Sequence, residues 1–297
     1  MSTHFTSLHS SAARFSWKAA GLFVPGLLLL SAPVALAQRI EKHFKVETRP
    51  VITIHNPDGI ITVRAWTKRE VMVVANRGSN EIELEIEQTG NRVDVMTHQM
   101  SDTIAPTAMH ADYEISVPED AELQIHDDSG NVSVANVLGD MNVETVAAGV
   151  NLQDAAGYLT VKTVGGSFQC IRCAGRIEVT SISGSFKFID LRSYHVHAQT
   201  SKGSIMFDGE FLPNGNYSLK NYSGDIVVRY APADSFDLSA TSYKGKVFSD
   251  AKLNPPAHEH HFWHPKFGNS LFGSLNLGRA RVDLSSFDGT INIVQRN

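Results

Sequence analysis

Glycine returns every nine residues through the middle of this chain, from Gly130 through Gly139, Ala148, Gly157, Gly166 and Gly175 to Gly184. Apolar residues keep step with it. Two places on stand Val132, Met141, Val150, Leu159, Phe168, Ile177 and Phe186. Four places on stand Val134, Val143, Leu152, Val161, Cys170, Val179 and Phe188, and seven places on Val137, Val146, Ala155, Val164, Cys173, Ile182 and Leu191. All 21 of these positions are apolar in a chain that is only 42% hydrophobic. Residues two and four places after the Gly share one face of a strand, because strand side chains alternate with period two. The Gly marks a turn that needs positive φ or close backbone approach. Position seven is expected to send a third apolar side chain inward. A unit of this size cannot bury its apolar face alone, so units must stack and share a core.

The stronger copies alternate, giving an 18-residue double unit beginning at Gly130, Ala148, Gly166 and Gly184. The series continues with longer spacings at Gly203, Gly224, Gly245 and Gly289, with return strands at Val196/Ala198, Tyr217/Leu219, Phe236/Leu238 and Val282/Leu284. An earlier copy places Ile61, Val63 and Trp66 after Gly59. Alternating segments at Val71/Val73, Ile82/Leu84/Ile86 and Val93/Val95 predict further strands, with a hairpin turn at Thr89–Asn91. The expected fold is therefore all-β: a parallel β-helix, or β-solenoid, on a 9/18-residue repeat with an N-terminal antiparallel strand embellishment. Residues 38–125 form the N-terminal strand and capping region, and 126–297 the solenoid, with a His- and aromatic-rich insertion at about 253–278. The pattern leaves open whether the rung has two sides or three.

Several stretches resemble a family of exported bacterial proteins with β-strand repeats regarded as candidate adhesins, a domain of unknown function. They are Asn56–Trp66, Ser116–Pro118, Asp128–Val134 with its repeats, and Ser286–Ile293. The resemblance spans nearly all of the chain after residue 37. It implies a right-handed parallel β-helix at the cell envelope and an adhesin role, and it supplies no catalytic residues to carry over. Right-handed winding also agrees with the chirality of parallel crossovers.

Residues 1–37 read as a signal peptide. Arg14 and Lys18 precede the apolar stretch Ala19–Leu30, and Ala35-Leu36-Ala37 offers a cleavage site. An uncleaved anchor is the alternative, but Pro25 and Pro33 interrupt the stretch. Gln38 rather than Cys directly follows the cleavage site, so this is not a lipoprotein signal, and no second long apolar segment appears, so no integral membrane domain is expected after cleavage. Removing this segment moves the formal charge from −5 to −7, because it carries two cations and no anion. An acidic chain without basic runs is not expected to bind nucleic acid.

Candidate sites are few. Asp140, Glu144, Asp154, Glu178 and Asp190 fall at different repeat positions, which argues against the converging oxygens that calcium needs. Cys170 and Cys173 occupy core columns, so the reading is buried thiols or a local disulfide in an oxidising compartment rather than a redox site. The insertion gathers His258, His260, His261 and His264 beside Phe262, Trp263, Phe267 and Phe272. Such imidazoles can take a transition metal, although capping of the solenoid is the first expectation. Asn136, Thr145, Asp154, Thr163, Arg172, Ser181 and Asp190 share the sixth place and read as solvated alternation. The chain is thus expected to be a non-catalytic, exported envelope protein, an adhesin or scaffold, whose partner is an envelope protein or polysaccharide. No cofactor is expected. The alternatives are a carbohydrate-active β-helix enzyme and a metal-binding protein using His258–His264.

Overall fold

The computed structural model describes residues 38–101, 103, 105, 108–255 and 268–296. The expected signal segment, residues 1–37, lies outside the described residues. The described chain is all-β, with no α-helix. Its first strands are β1 (Gln38–Lys45), β2 (Val51–Trp66), β3 (Glu70–Arg77), β4 (Ile82–Thr89), β5 (Arg92–Gln99) and β6 (Ala111–Pro118). The repeat proper supplies β7 (Glu122–Ala135), β8 (Met141–Thr145), β9 (Gly149–Gln153), β10 (Ala156–Thr163), β11 (Phe168–Ile171), β12 (Ala174–Ser181) and β13 (Phe186–Lys202). The C-terminal part holds β14 (Ile205–Gly209), β15 (Asn216–Ser223), β16 (Ile226–Tyr230), β17 (Phe236–Ser242), β18 (Val247–Ser249), β19 (Asn269–Leu275), β20 (Ala280–Ser286) and β21 (Ile291–Gln295).

The rungs have two sides. Leu159 pairs in parallel with Met141 below and Ile177 above, each 18 residues away. Phe168 pairs likewise with Val150 and Phe186. Successive nine-residue units therefore lie on opposite faces, and like residues stack only at 18. Face one runs β2–β7–β8–β10–β12–β13–β15, through the first halves of β2 and β7, the units that follow Gly139, Gly157 and Gly175, and the second half of β13. Face two runs β2–β7–β9–β11–β13–β14–β16. The Gly59 copy is a complete rung: β2 pairs with β7 from Val51 to Arg64, and Gly59 sits on Gly130. Antiparallel strands close this end, β4 on β5 for face one, and β3 on β6 with β1 outside it for face two. Such closure blunts the edge a bare solenoid would expose.

The core between the faces changes along the stack. Near β7 it is aliphatic, with Ile125, Val132, Val134 and Val143 buried, whereas further on Phe168, Phe186, Phe188, Phe207, Tyr217 and Phe236 are fully buried. Their rings meet edge-on or tilted, Phe168 to Phe186 at 6.2 Å and Phe211 to Phe236 at 4.7 Å between centroids, the geometry that aromatic quadrupoles favour.

The last rungs depart from sequence order. β20 pairs on one side with β15 and on the other with β17, and β21 lies between β16 and β18. The rung at residues 280–295 is thus inserted beneath the rung at 236–249. The glycine column shows the same order: a Cβ on Gly289 would strike the Gly224 carbonyl, and one on Gly245 the Gly289 carbonyl. The order of Gly along the sequence cannot reveal such a swap. β19 then pairs antiparallel with β17 and covers face one at this end.

Candidate functional site

Each rung turns twice, and the two turns have different chemistry. One follows face two. There Asn136, Asp154, Arg172 and Asp190 adopt positive φ between 50° and 61°, a conformation Asn and Asp tolerate best among residues with a Cβ. Position seven of these units points inward, so Val137, Ala155, Cys173 and Leu191 are buried. Cys170 and Cys173 are joined as a disulfide between a face-two strand and this turn, and both are fully buried.

The other turn follows face one, and here the sixth residue points inward. Thr145 and Thr163 are buried, as are Asn56, Thr200, Asn221, Ser242 and Ser286 at matching places, while Ser181 is half-buried. They form a hydrogen-bonded ladder. The oxygens of Thr163, Ser181, Ser242 and Ser286 accept the N–H groups of Gly166, Gly184, Gly245 and Gly289 at 2.7 to 3.0 Å. Ser242 and Thr200 also donate to the Gly289 and Gly184 carbonyls of neighbouring rungs. The expected solvated column is therefore two columns, one αL and exposed except at half-buried Asp154, the other a buried polar ladder. With the hydroxyl inward, position seven is forced out: Val146, Val164 and Ile182 are 47%, 46% and 59% exposed. The expectation that all position-seven residues enter the core fails at these three for that reason.

The hydroxyl-turn edge thus bears a row of side chains facing solvent. After Val146, Val164 and Ile182 come Ser201, Tyr222, Phe287 and Tyr243 in spatial order, fixed by the strand registers. Tyr222 stacks on Phe287 at 4.5 Å and 11°, and Tyr243 lies 6.0 Å beyond. Lys244 Nζ sits 4.7 Å from the Phe287 ring centre. A readable signal did exist, since Tyr222, Phe287 and Tyr243 each stand two places before a column Gly and directly after Asn or Ser.

One rung breaks the ladder. Asp127 takes the inward place between Asn56 and Thr145; it is fully buried, and neither carboxylate oxygen has a hydrogen-bond partner among the described residues. Burial pushes its carboxyl up to about 7, opposed by the Asn56 carboxamide and reinforced by Asp58 and Asp128. The Asn56 amide spends its own hydrogen bonds on the Asp58 and Ala111 carbonyls.

Beside it, Asp58 accepts from Ser129 Oγ at 2.5 Å and meets His110 Nδ1 at 2.8 Å. The Ser129 hydroxyl holds the Asp58 carboxyl below its usual value, helped by His110, and Asp58 in turn raises His110. A Ser, a His and an Asp meet here, but the carboxylate sits between the other two. Nucleophilic catalysis needs the imidazole in the middle, to take the serine proton.

Three of the five carboxylates weighed against calcium are held in ion pairs. Glu144 pairs with Lys162, Asp154 with Arg172 and Glu178 with Arg176, at 3.1, 2.6 and 2.7 Å. Among the described residues no group of three or more His, Cys, Asp or Glu is placed to hold a metal ion. His258, His260, His261 and His264 lie outside the described residues, as do Phe262, Trp263 and Phe267.

The family model for Toastrack DUF4097 matches residues 51–294, from the first rung to the inserted last one. The chain belongs to the Toastrack DUF4097 family. Solved structures similar to this Toastrack chain include a candidate cell adhesion protein from Clostridium sporogenes, at 12% identity and TM-score 0.31, covering 87% of this chain and 100% of that one. Another is a candidate adhesin from Bacteroides fragilis, at 13% identity and TM-score 0.38, covering 87% and 97%. A third, a candidate adhesin from Parabacteroides merdae, is 7% identical with TM-score 0.24, covering 88% and 98%. No curated protein matches the chain. Among the described residues no helix is long and apolar enough to cross a membrane.

Proposed function

We propose that this Toastrack protein is a non-catalytic binding module of the cell envelope, exported by a signal at residues 1–37, wound as a right-handed solenoid, and used for adhesion or scaffolding. The partner is an envelope protein or polysaccharide. The observation that carries this reading is the exposed apolar row on the hydroxyl-turn edge. Exposed apolar side chains grouped on one edge mark an interaction surface; here an aliphatic trio, Val146, Val164 and Ile182, and an aromatic trio, Tyr222, Phe287 and Tyr243, flank Ser201 along the hydrogen-bonded ladder. Two features weigh against catalysis: Glu144, Asp154 and Glu178 of the repeat are each ion-paired on its surface, and the Ser129–Asp58–His110 contact has the wrong order for a triad.

The test is binding of protein purified after export to envelope fractions, wild type against a Val164→Ser, Ile182→Ser variant. The variant is expected to keep its melting temperature, since both positions face solvent, and to lose about tenfold or more in affinity. Undiminished binding by the variant, or turnover of an envelope glycan by the wild type, would refute the reading.

A further inference from the structure

The inserted rung builds a groove that sequence order alone would not assemble. Outward residues of β15, β20 and β17 align in rows: Ser218 with Asp283 and Ser239, then Lys220 with Ser285 and Thr241. The next row along is the aromatic trio that ends in Tyr243. These rows bound an open cavity of about 320 Å³, near the lower end of the size range of small-ligand sites. Its floor is short and hydroxylic, and Tyr243, 46% exposed, stands at its rim. Arg281 at the opposite end is neutralised by Asp283 at 2.7 Å, whereas Lys220 makes no ion pair among the described residues.

We propose that this groove binds a saccharide ring. An apolar ligand would strip water from the Ser and Thr hydroxyls without repaying their hydrogen bonds. A phosphate would call for clustered or bidentate cations, and among the described residues lining the groove Lys220 is the one cation without an ion pair. A sugar satisfies both halves: its C–H face packs on the Tyr243 ring, and its hydroxyls exchange hydrogen bonds with Ser239, Thr241 and Ser285. Lys220 adds a preference for sugars bearing a carboxylate. This inference rests on the envelope-binding reading and names the ligand class for one end of the same edge.

The experiment is calorimetry on protein purified after export, titrated with neutral oligosaccharides and with oligouronates to about 10 mM. Saturable binding is expected, tighter for the uronates. Tyr243→Ala should weaken both by about tenfold, Ser285→Leu should fill the floor and abolish both, and Lys220→Gln should remove only the uronate preference. Melting curves identify any variant that fails to fold, and Tyr243→Ala and Lys220→Gln alter exposed side chains alone. Absence of binding in both sugar series, or binding unchanged by both Tyr243→Ala and Ser285→Leu, would overturn the proposal. Wild-type protein that binds envelope fractions but neither sugar series would defeat this inference while leaving the envelope-binding reading standing. Failure to bind envelope fractions at all would defeat that reading instead.

Discussion

The two turns of each rung solve the same problem, reversing the chain between faces, by opposite means. The turn after face two solves it with backbone conformation: an αL residue outside, an apolar residue inside. The turn after face one solves it with a side-chain hydrogen bond, because an inward Thr, Ser or Asn satisfies the backbone N–H or C=O of the turn Gly and so leaves its apolar neighbour in solvent. The first device closes the core and leaves an ion-paired, water-compatible edge, as in Asp154–Arg172. The second also closes the core, but its by-product is a solvent-facing apolar row. The proposed recognition surface is thus a consequence of how one of the two edges satisfies its backbone.

The contrast can be broken at several places. The largest effect should come from close backbone approach on the hydroxyl edge. Gly289→Val would drive a side chain into the Gly224 carbonyl and should cost more than about 4 kcal/mol, seen as loss of folded protein. Gly90→Ala, in the β4–β5 hairpin where nothing lies within 4 Å of an added Cβ, should cost about 1 kcal/mol for its positive φ.

Next comes the one defective step of the ladder. With its carboxyl raised from an unfolded value near 4 to about 7 in the fold, Asp127 binds its proton more tightly folded than unfolded. Its burial therefore carries no ionisation penalty at low pH and becomes increasingly destabilising as pH rises from about 4 through 7. Asp127→Asn should raise stability at pH 8 by up to about 4 kcal/mol. The advantage should vanish near pH 4, as read from paired urea melts across that range. A variant with the same pH dependence as wild type would show that the carboxyl is not the source.

Position seven distinguishes the edges directly. Val137→Ala removes buried atoms and should cost about 2 kcal/mol, while Val164→Ala should fall within about 0.5 kcal/mol of wild type. Equal costs in urea denaturation would abolish the distinction. At the sixth position the expected difference is smaller. Ser286→Ala strands the Gly289 N–H and should cost about 1–2 kcal/mol, whereas Asp154→Asn keeps an αL-tolerant residue and should change stability by less than about 0.5 kcal/mol.

The nine-residue register made the core strands legible, because positions two and four are buried on both faces and obey one rule. It misled at positions six and seven, since consecutive units share a sequence period but not a turn. Thr145 and Thr163 differ from Asn136 and Asp154 in the direction they point, and both kinds are ordinary turn residues. The rung order Gly224, Gly289, Gly245 was illegible for a different reason. Strand pairing is decided by which apolar face docks first and best, and all three copies present nearly the same face. The groove lined by Ser285 and Tyr243 depends on that order, so no reading of spacing could have assembled it.

The most direct test of the claim that one edge recognises and the other only closes the rung is site-specific photocrosslinking in envelope fractions. A benzophenone amino acid would replace Val164 on the hydroxyl edge or Arg172 on the αL edge, both solvent-facing in neighbouring rungs. A discrete crosslinked product, protein or glycan, is expected from position 164 and none from 172. Crosslinking from 172 alone, or equally from both positions, would contradict it.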